Sequence, residues 1–128
     1  MVARQYDEIK KRVEAACQRA GRNPEEVTLI AVSKTKPVSM IQEAVRWGMM
    51  DFGENRPQEL AEKFPQVPGV RWHLIGQLQR NKVKYIIQCV AMIESVDRIE
   101  LAQEIDRQAQ MHGVVMPVLI QVNLAREE

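Results

Sequence analysis

The sequence predicts an α/β fold in which short strands and longer helices alternate along the chain. Apolar runs of a few residues recur between amphipathic stretches, and the connections between them are brief. The first apolar run, residues 27–32, has no polar alternation, which is typical of a strand covered on both faces in a parallel sheet. Alternating units of this kind form right-handed βαβ crossovers. At 128 residues the chain is expected to be a single domain covering residues 1–128.

The elements follow from periodicity and from turn residues. A first helix is expected over residues 4–20, because apolar residues recur there at helical spacing and Gly21 stands where a glycine ends a helix. Ser39 is a candidate cap of the second helix. The expected strands are residues 27–32, 51–55, 71–76, 92–96 and 117–123, and the further helices are residues 38–47, 57–64, 81–88 and 99–112.

Two architectures fit this order: an open doubly wound sheet and the first part of a (β/α)8 barrel of the TIM type. An open sheet that binds a dinucleotide needs a glycine-rich turn after its first strand, whereas residues 33–37 are Ser-Lys-Thr-Lys-Pro. Barrels gather their chemistry at the carboxyl ends of the strands. Polar residues stand at or near successive strand ends here, namely Lys34, Lys36, Glu54, Asn55, His73, Asp97 and Asn123.

The sequence therefore predicts an incomplete barrel with about the first five strands. A complete barrel needs roughly 200 residues or more. Five strands alone leave two unpaired edges, which soluble proteins avoid. The chain is expected to be a fragment of a longer barrel protein.

Composition narrows the class of protein. A hydrophobic content of 45% with 27% charged residues is ordinary for a soluble globular protein, and no apolar run approaches the roughly 18 residues of a membrane helix. A net charge of +1 gives no reason to expect a nucleic-acid partner. Cys17 and Cys89 lie far apart without metal-ligand spacing, which fits free thiols in a reducing cytoplasm. We expect a cytoplasmic protein without a membrane, nucleic-acid or metal partner.

Lys34 is the most informative position. It follows an apolar strand, so its stem would be held by packing while its amine reaches the mouth of the strand. If the strand alternation continues, residues 30, 32, 34 and 36 share one face, which puts Lys36 beside Lys34. A second cation favours the neutral amine that condenses with carbonyl groups. From position alone, an ordinary solvated lysine is the commoner case.

Further candidates stand at the next two strands. Asn55 could offer a donor and an acceptor to a ring substituent beside Gly53, where a ligand could approach the backbone; a turn or cap before the next helix fits equally well. His73 could bond a phenolic oxygen or a neighbouring side chain, and a satisfied core histidine is the commoner case. Residues 76–82 enter a helix whose N-terminus could bind an anion, or are a plain cap.

Four segments together resemble the family of pyridoxal phosphate homeostasis proteins. They are AVSKTKP at 31–37, FGEN at 52–55, WHLIGQLQRNK at 72–82 and LIQVN at 119–123, in the family's order and spacing. The resemblance implies a fold similar to the N-terminal barrel of alanine racemase, without the second domain of that enzyme. It implies that Lys34 holds pyridoxal 5′-phosphate (PLP) as a Schiff base, that Lys36 is a second lysine nearby, and that Asn55 lies near the cofactor ring.

Two features depart from the family pattern. Arg56 stands where many relatives have a tyrosine, which changes the local charge. The family's phosphate cup comes from later strands, beyond Glu128. The resemblance thus implies that the chain carries the Schiff-base lysine without the residues that bind the phosphate group.

The sequence is compatible with three functions. In the favoured one the parent protein is a PLP carrier in intracellular vitamin B6 homeostasis, with Asn55 and His73 lining the ring and PLP-dependent apoenzymes receiving the cofactor. An amino-acid racemase or decarboxylase is the alternative; it needs a second acid or base, for which His73 and Lys36 are the local candidates. The third is an interaction module or an inert fragment. The sequence leaves the oligomeric state open.

Overall fold

Five parallel strands form one sheet in the order β1-β2-β3-β4-β5. The computed structural model describes residues 2–124, with the side chain of Val2 left out. The strands are β1 Ala31–Val32, β2 Asp51–Glu54, β3 Arg71–Leu74, β4 Val90–Val96 and β5 Val118–Ile120. The helices are α1 Val2–Ala20, α2 Val38–Arg46, α3 Pro57–Lys63, α4 Val83–Ile86 and α5 Ile99–His112. Each strand pairs with the next along the chain, which confirms the predicted parallel α/β sheet.

The hydrophobic core lies between one face of the sheet and α2 to α5. Side chains alternate between the two faces of a strand, so Phe52, Trp72 and Ile93 point to this face. They pack with buried side chains of the four helices, among them Ile41, Leu60, Val83, Ile86, Leu101 and Ile105. The residues next to them in the same strands, including Asp51, Gly53 and His73, belong to the other face of the sheet.

The first strand is shorter and more exposed than predicted. Only Ala31–Val32 forms strand, and Val27 and Val32 are 37% and 52% exposed. The prediction of a strand covered on both faces at residues 27–32 is therefore wrong. The physical reason is position: β1 pairs only with β2 among the described residues, and residues 27–32 line an open groove beside α1.

Other elements differ from prediction mainly at their ends. The helix expected at residues 81–88 is a 3-10 turn, Arg80–Lys82, followed by the four-residue α4. The N-cap of α2 is Pro37, not Ser39. By contrast α5 has the predicted bounds and ends at Gly113, whose φ of 66° is the left-handed conformation of a glycine cap.

Both edges of the sheet are unpaired within residues 2–124. On the far edge, β5 is exposed along its whole length, and Ile120 is 75% exposed. None of the helices in this part of the chain has the length and apolar content needed to cross a bilayer.

Candidate cofactor-binding site

Lys34 lies in a tight turn that directly follows β1. The Ser33 amide donates to the Gly53 carbonyl at 2.9 Å, and the Lys36 amide donates to the Ser33 carbonyl at 3.1 Å. The turn therefore stands at the carboxyl end of the sheet, level with the end of β2. Lys34 and Lys36 are both exposed. Because the chain turns after Val32, the strand alternation that would place both lysines on one face does not reach them.

Thr35 has an unusual backbone conformation. Its φ is 62°, in the left-handed region, which a β-branched residue rarely adopts. Its amide donates to Glu59 Oε2 at 2.7 Å, and its hydroxyl donates to the Lys34 carbonyl at 2.6 Å. Conformations of this kind cost about 1–3 kcal/mol and persist only where the surroundings hold them.

A buried lysine holds the other side of the same turn. Lys63 lies at the end of α3 and is 6% exposed. Its ammonium donates to the Ser33 carbonyl at 2.9 Å, to Glu54 Oε2 at 2.9 Å and to Glu59 Oε2 at 2.6 Å. An ammonium has three donors, and these contacts use all of them.

Glu54 completes this cluster from the last position of β2. It is 0% exposed, and Oε2 accepts from Ser33 Oγ at 2.5 Å as well as from Lys63. Its parity with Phe52 places it on the helix-covered face of the sheet, where an unpaired carboxylate would be costly. We call Ser33, Glu54, Glu59 and Lys63 the turn-holding cluster.

Lys63 and Glu59 stabilise each other's charged forms. Burial alone would lower the pKa of Lys63, but the hydrogen bonds to Glu59 and Glu54 outweigh it and raise that pKa above its ordinary value. The hydrogen bond from Lys63 lowers the pKa of Glu59 against the opposing effect of burial, and the Thr35 amide lowers it further. Both groups are therefore charged at neutral pH.

Asn55 follows β2 and is held against the exit of β3. It is half-buried, and a Cβ atom placed on Gly76 would lie 2.8 Å from the Cα, Cβ and carbonyl oxygen of Asn55. Gly53 is also closely approached, but by protein: a Cβ there would lie 3.0 Å from the side chains of Ile30 and Ile75. The space predicted for a ligand at Gly53 is thus occupied by these two isoleucines.

His73 is buried in β3 between two carboxylates. Nε2 lies 2.9 Å from Asp51 Oδ1, and Nδ1 lies 2.5 Å from Glu94 Oε2. Arg71 makes a two-point contact with Asp51 at 2.8 and 2.9 Å. Burial would raise the pKa of Asp51, but hydrogen bonds from Arg71 and His73 outweigh it and lower that pKa. These contacts favour hydrogen bonding of His73 to neighbouring side chains over bonding to a phenolic oxygen.

Two other sequence features give no site in the described residues. The loop at 76–82 leads into a helix of only four residues, so the predicted anion-binding helix terminus is absent there. Arg98 instead donates to the Leu78 carbonyl at 2.6 Å and ties the loop to α5. Between residues 2 and 124, no group of three or more His, Cys, Asp or Glu side chains is arranged to hold a metal ion.

The turn-holding cluster went largely unpredicted. Glu59 and Lys63 stand four residues apart on a helix, where such pairs are usually weak surface contacts. The available signal was the alternation of β2, which puts the Glu54 carboxylate on the same face as Phe52, where a buried carboxylate needs a cation nearby.

The chain is similar in sequence, over most of its length, to curated proteins that share one name. A pyridoxal phosphate homeostasis protein of Aquifex aeolicus is 42% identical over an alignment of 122 positions, which covers 94% of this chain and 54% of that protein. The protein of the same name from Escherichia coli K12 is 38% identical over an alignment of 131 positions, which covers 98% of this chain and 56% of that one. The chain spans about half the length of the curated relatives it matches. A scan against models of protein families gives no match.

A solved structure has the same fold. PipY of Synechococcus elongatus PCC7942, determined with PLP bound, superposes with a TM-score of 0.76 at 37% identity. The superposition covers 90% of this chain and 56% of PipY.

Proposed function

We propose that this chain, which belongs to the family of pyridoxal phosphate homeostasis proteins, provides the Lys34 side of a PLP site and serves the intracellular balance of that cofactor as a carrier. The observation that carries the proposal is an exposed lysine on a turn whose backbone is held by the buried Lys63 and the partly buried Glu59. The similarity to PipY, a protein solved with PLP, supports it. The cytoplasm is the proposed compartment, and PLP-dependent apoenzymes are the proposed recipients.

The proposed architecture is the first five strands of a (β/α)8 barrel. The sequential strand order supports it, because a doubly wound sheet reverses its order at a switch point and this sheet does not. In a barrel the turn after β1 opens on the carboxyl-terminal face, where barrel sites lie.

The side chains at this end of the sheet fit the cofactor. PLP supplies an aldehyde for covalent attachment and an electron-withdrawing ring. Lys34 offers the primary amine that an aldehyde requires, and Lys36 adds a positive charge on the same turn for an anionic ligand. Asn55 offers an amide donor and acceptor at the next strand end. We propose that His73 supports the site from within β3, through its contacts with Asp51 and Glu94.

Trapping the covalent bond tests the proposal. The Lys34 amine and the aldehyde form a C=N bond with loss of one water, and borohydride reduces that bond to a stable secondary amine. We expect peptide mass analysis of the reduced chain to place the label mainly on Lys34. Lys34→Ala should lose it, and Lys11→Ala, at an exposed lysine of α1, should keep it. Equal labelling of the exposed lysines, or an unchanged label in Lys34→Ala, would reject the assignment.

The contacts of His73 favour the carrier over the racemase or decarboxylase, which leaves Lys36 as the local candidate for a second acid or base. An enzyme of that class needs a second acid or base facing the cofactor, and both ring nitrogens of His73 already lie against carboxylates. We expect amino-acid racemisation by the chain with PLP to equal that of free PLP. A rate well above this background would favour the enzyme.

A further inference from the structure

We propose that Glu59 and Lys63 of α3 are positioning residues for Lys34, which hold the turn in the conformation that presents the Lys34 amine to an aldehyde. The inference rests on the proposed function, since it assigns a role to residues that act on Lys34 and do not touch the cofactor.

The two residues that flank Lys34 are each held by one member of the same ion pair. On one side, the Ser33 carbonyl accepts from the Lys63 ammonium at 2.9 Å. On the other side, the Thr35 amide donates to Glu59 at 2.7 Å. Lys63 and Glu59 are themselves 2.6 Å apart and four residues apart on one helix. The backbone of Lys34 is thereby fixed at both ends, while its side chain stays exposed.

The conformation of Thr35 requires such a hold. At φ 62° a β-branched residue is strained, and relaxation to negative φ would turn the Lys34–Thr35 peptide and redirect the lysine. Glu59 accepts from the Thr35 amide in the left-handed conformation, and relaxation would turn this amide away from its present direction. The hydrogen bond therefore opposes the relaxation directly.

Glu54 explains why Lys63 can be buried at this place. Its carboxylate, fully buried at 2.9 Å from the ammonium, compensates the charge from the side of the sheet. An ordinary i, i+4 pair on a helix surface needs no such third partner and contributes little. Here every donor of the ammonium is directed at the turn or at a carboxylate that contacts the turn. The arrangement fits preorganisation of a site by the groups behind it.

The test compares the rate at which PLP and borohydride label Lys34 with the rate at Lys11, an exposed lysine of α1. In Glu59→Ala and in Lys63→Met we expect the Lys34 rate, relative to Lys11, to fall by roughly 5- to 30-fold, the factor for about 1–2 kcal/mol of lost preorganisation. Glu62→Ala, an exposed position on the same helix, should leave the ratio unchanged.

A double-mutant cycle separates positioning from general stability. Asparagine adopts the left-handed conformation more readily than threonine, so Thr35→Asn should need Glu59 less. We expect Glu59→Ala to reduce the labelling rate of Lys34 by a factor several-fold smaller in the Thr35→Asn background than in the parent. Equal losses in both backgrounds would mean that Glu59 acts only through stability, and would overturn the inference.

The outcomes distinguish the two proposals. A parent chain that does not label Lys34 selectively rejects the proposed function. A selective parent with undiminished labelling in Glu59→Ala rejects the positioning role alone. If circular dichroism shows that Glu59→Ala does not fold, Glu59→Gln is used instead. Its amide oxygen still accepts from Thr35 but binds Lys63 more weakly. We therefore expect an intermediate loss in the labelling rate of Lys34. Labelling of Glu59→Gln at the parent rate would then overturn the inference.

Discussion

Gly76 brings the exit of β3 against that of β2. Asn55 occupies the space that a side chain on Gly76 would need. The corresponding space at Gly53 is occupied by the ends of the Ile30 and Ile75 side chains. Neither glycine has a positive φ, so the requirement at both is space and not conformation. The two positions differ in whether the neighbour can move.

We expect Gly76→Ala to destabilise the chain more than Gly53→Ala. A methyl group at Gly76 would lie 2.8 Å from main-chain atoms and force the two strand ends apart, a cost of about 1–3 kcal/mol. At Gly53 the isoleucine ends can rotate away, and we expect less than about 1 kcal/mol. Urea unfolding measures both. Equal losses would contradict the close contact between Gly76 and Asn55.

The role of His73 could not be predicted from the sequence. Histidine in a strand fits either a ligand contact or a satisfied core group. The choice depends on Asp51 and Glu94, which come from the two neighbouring strands. Their approach depends on strand register, since His73 pairs with Gly53 and Met92. The sequence singles out Lys34 because it stands in a contiguous motif, and its role as the cofactor lysine stays a prediction.

The helix α3 connects the sheet to the Lys34 turn. Its first turn follows β2 directly, and its last turn delivers Lys63 to Ser33 and Glu54. The predicted bounds of this helix, residues 57–64, agree with Pro57–Lys63, but its buried polar face was not predicted. Sequence spacing identifies which residues share a helix face. It does not identify the distant loop that this face contacts.

The ion pair of α3 predicts a defined pH dependence. Since the pKa of Glu59 is lowered by Lys63, its contribution is present above pH 4.5 and is lost as the pH falls further through the depressed value. The pKa of Lys63 is raised, so its contribution is present below pH 10.5 and is lost as the pH rises beyond that. Glu54 and Ser33 face the ammonium from β2 and the turn, and Arg56 also lowers the pKa of Glu59.

We expect the free energy of unfolding of Glu59→Gln to fall less steeply below pH 4.5 than that of the parent chain. Lys63→Met should likewise flatten the decline above pH 10.5. Glu62→Gln, which changes an exposed carboxylate of the same helix, is the control and should follow the parent. Denaturant titrations at a series of pH values give the slopes. A parent-like acid slope in Glu59→Gln would show that the pair does not persist in solution.

Elements with their own periodicity and caps were predicted better than those that depend on the sheet. For α5, amphipathic spacing and Gly113 determine both ends locally. For β1, an apolar run of six residues yields only two in the strand, because only Ala31 and Val32 pair with β2 and the residues before them line the groove beside α1. An apolar run shows that a segment can be buried, but its neighbours decide how much of it is.

At the scale of the whole molecule, the order of the strands follows from the alternation of elements. Short connections between parallel neighbours leave sequential pairing as the simplest arrangement, and all four pairs have it. The sheet then has two free edges within residues 2–124. On the β5 edge, apolar side chains are exposed next to unpaired backbone groups, which is the pattern that promotes pairing with another chain.

We therefore expect the 128-residue chain to associate with itself through β5. Sedimentation velocity should give an average mass that rises with concentration above the 14.7 kDa of one chain. Ile120→Lys places a charge in the edge strand, at a residue 75% exposed, and should shift the chain toward the monomer. Val115→Lys makes a similar change at a residue 95% exposed, outside the strand, and should associate like the parent. A parent chain that stays monomeric at all concentrations, or equal effects of the two lysines, would contradict association by strand pairing.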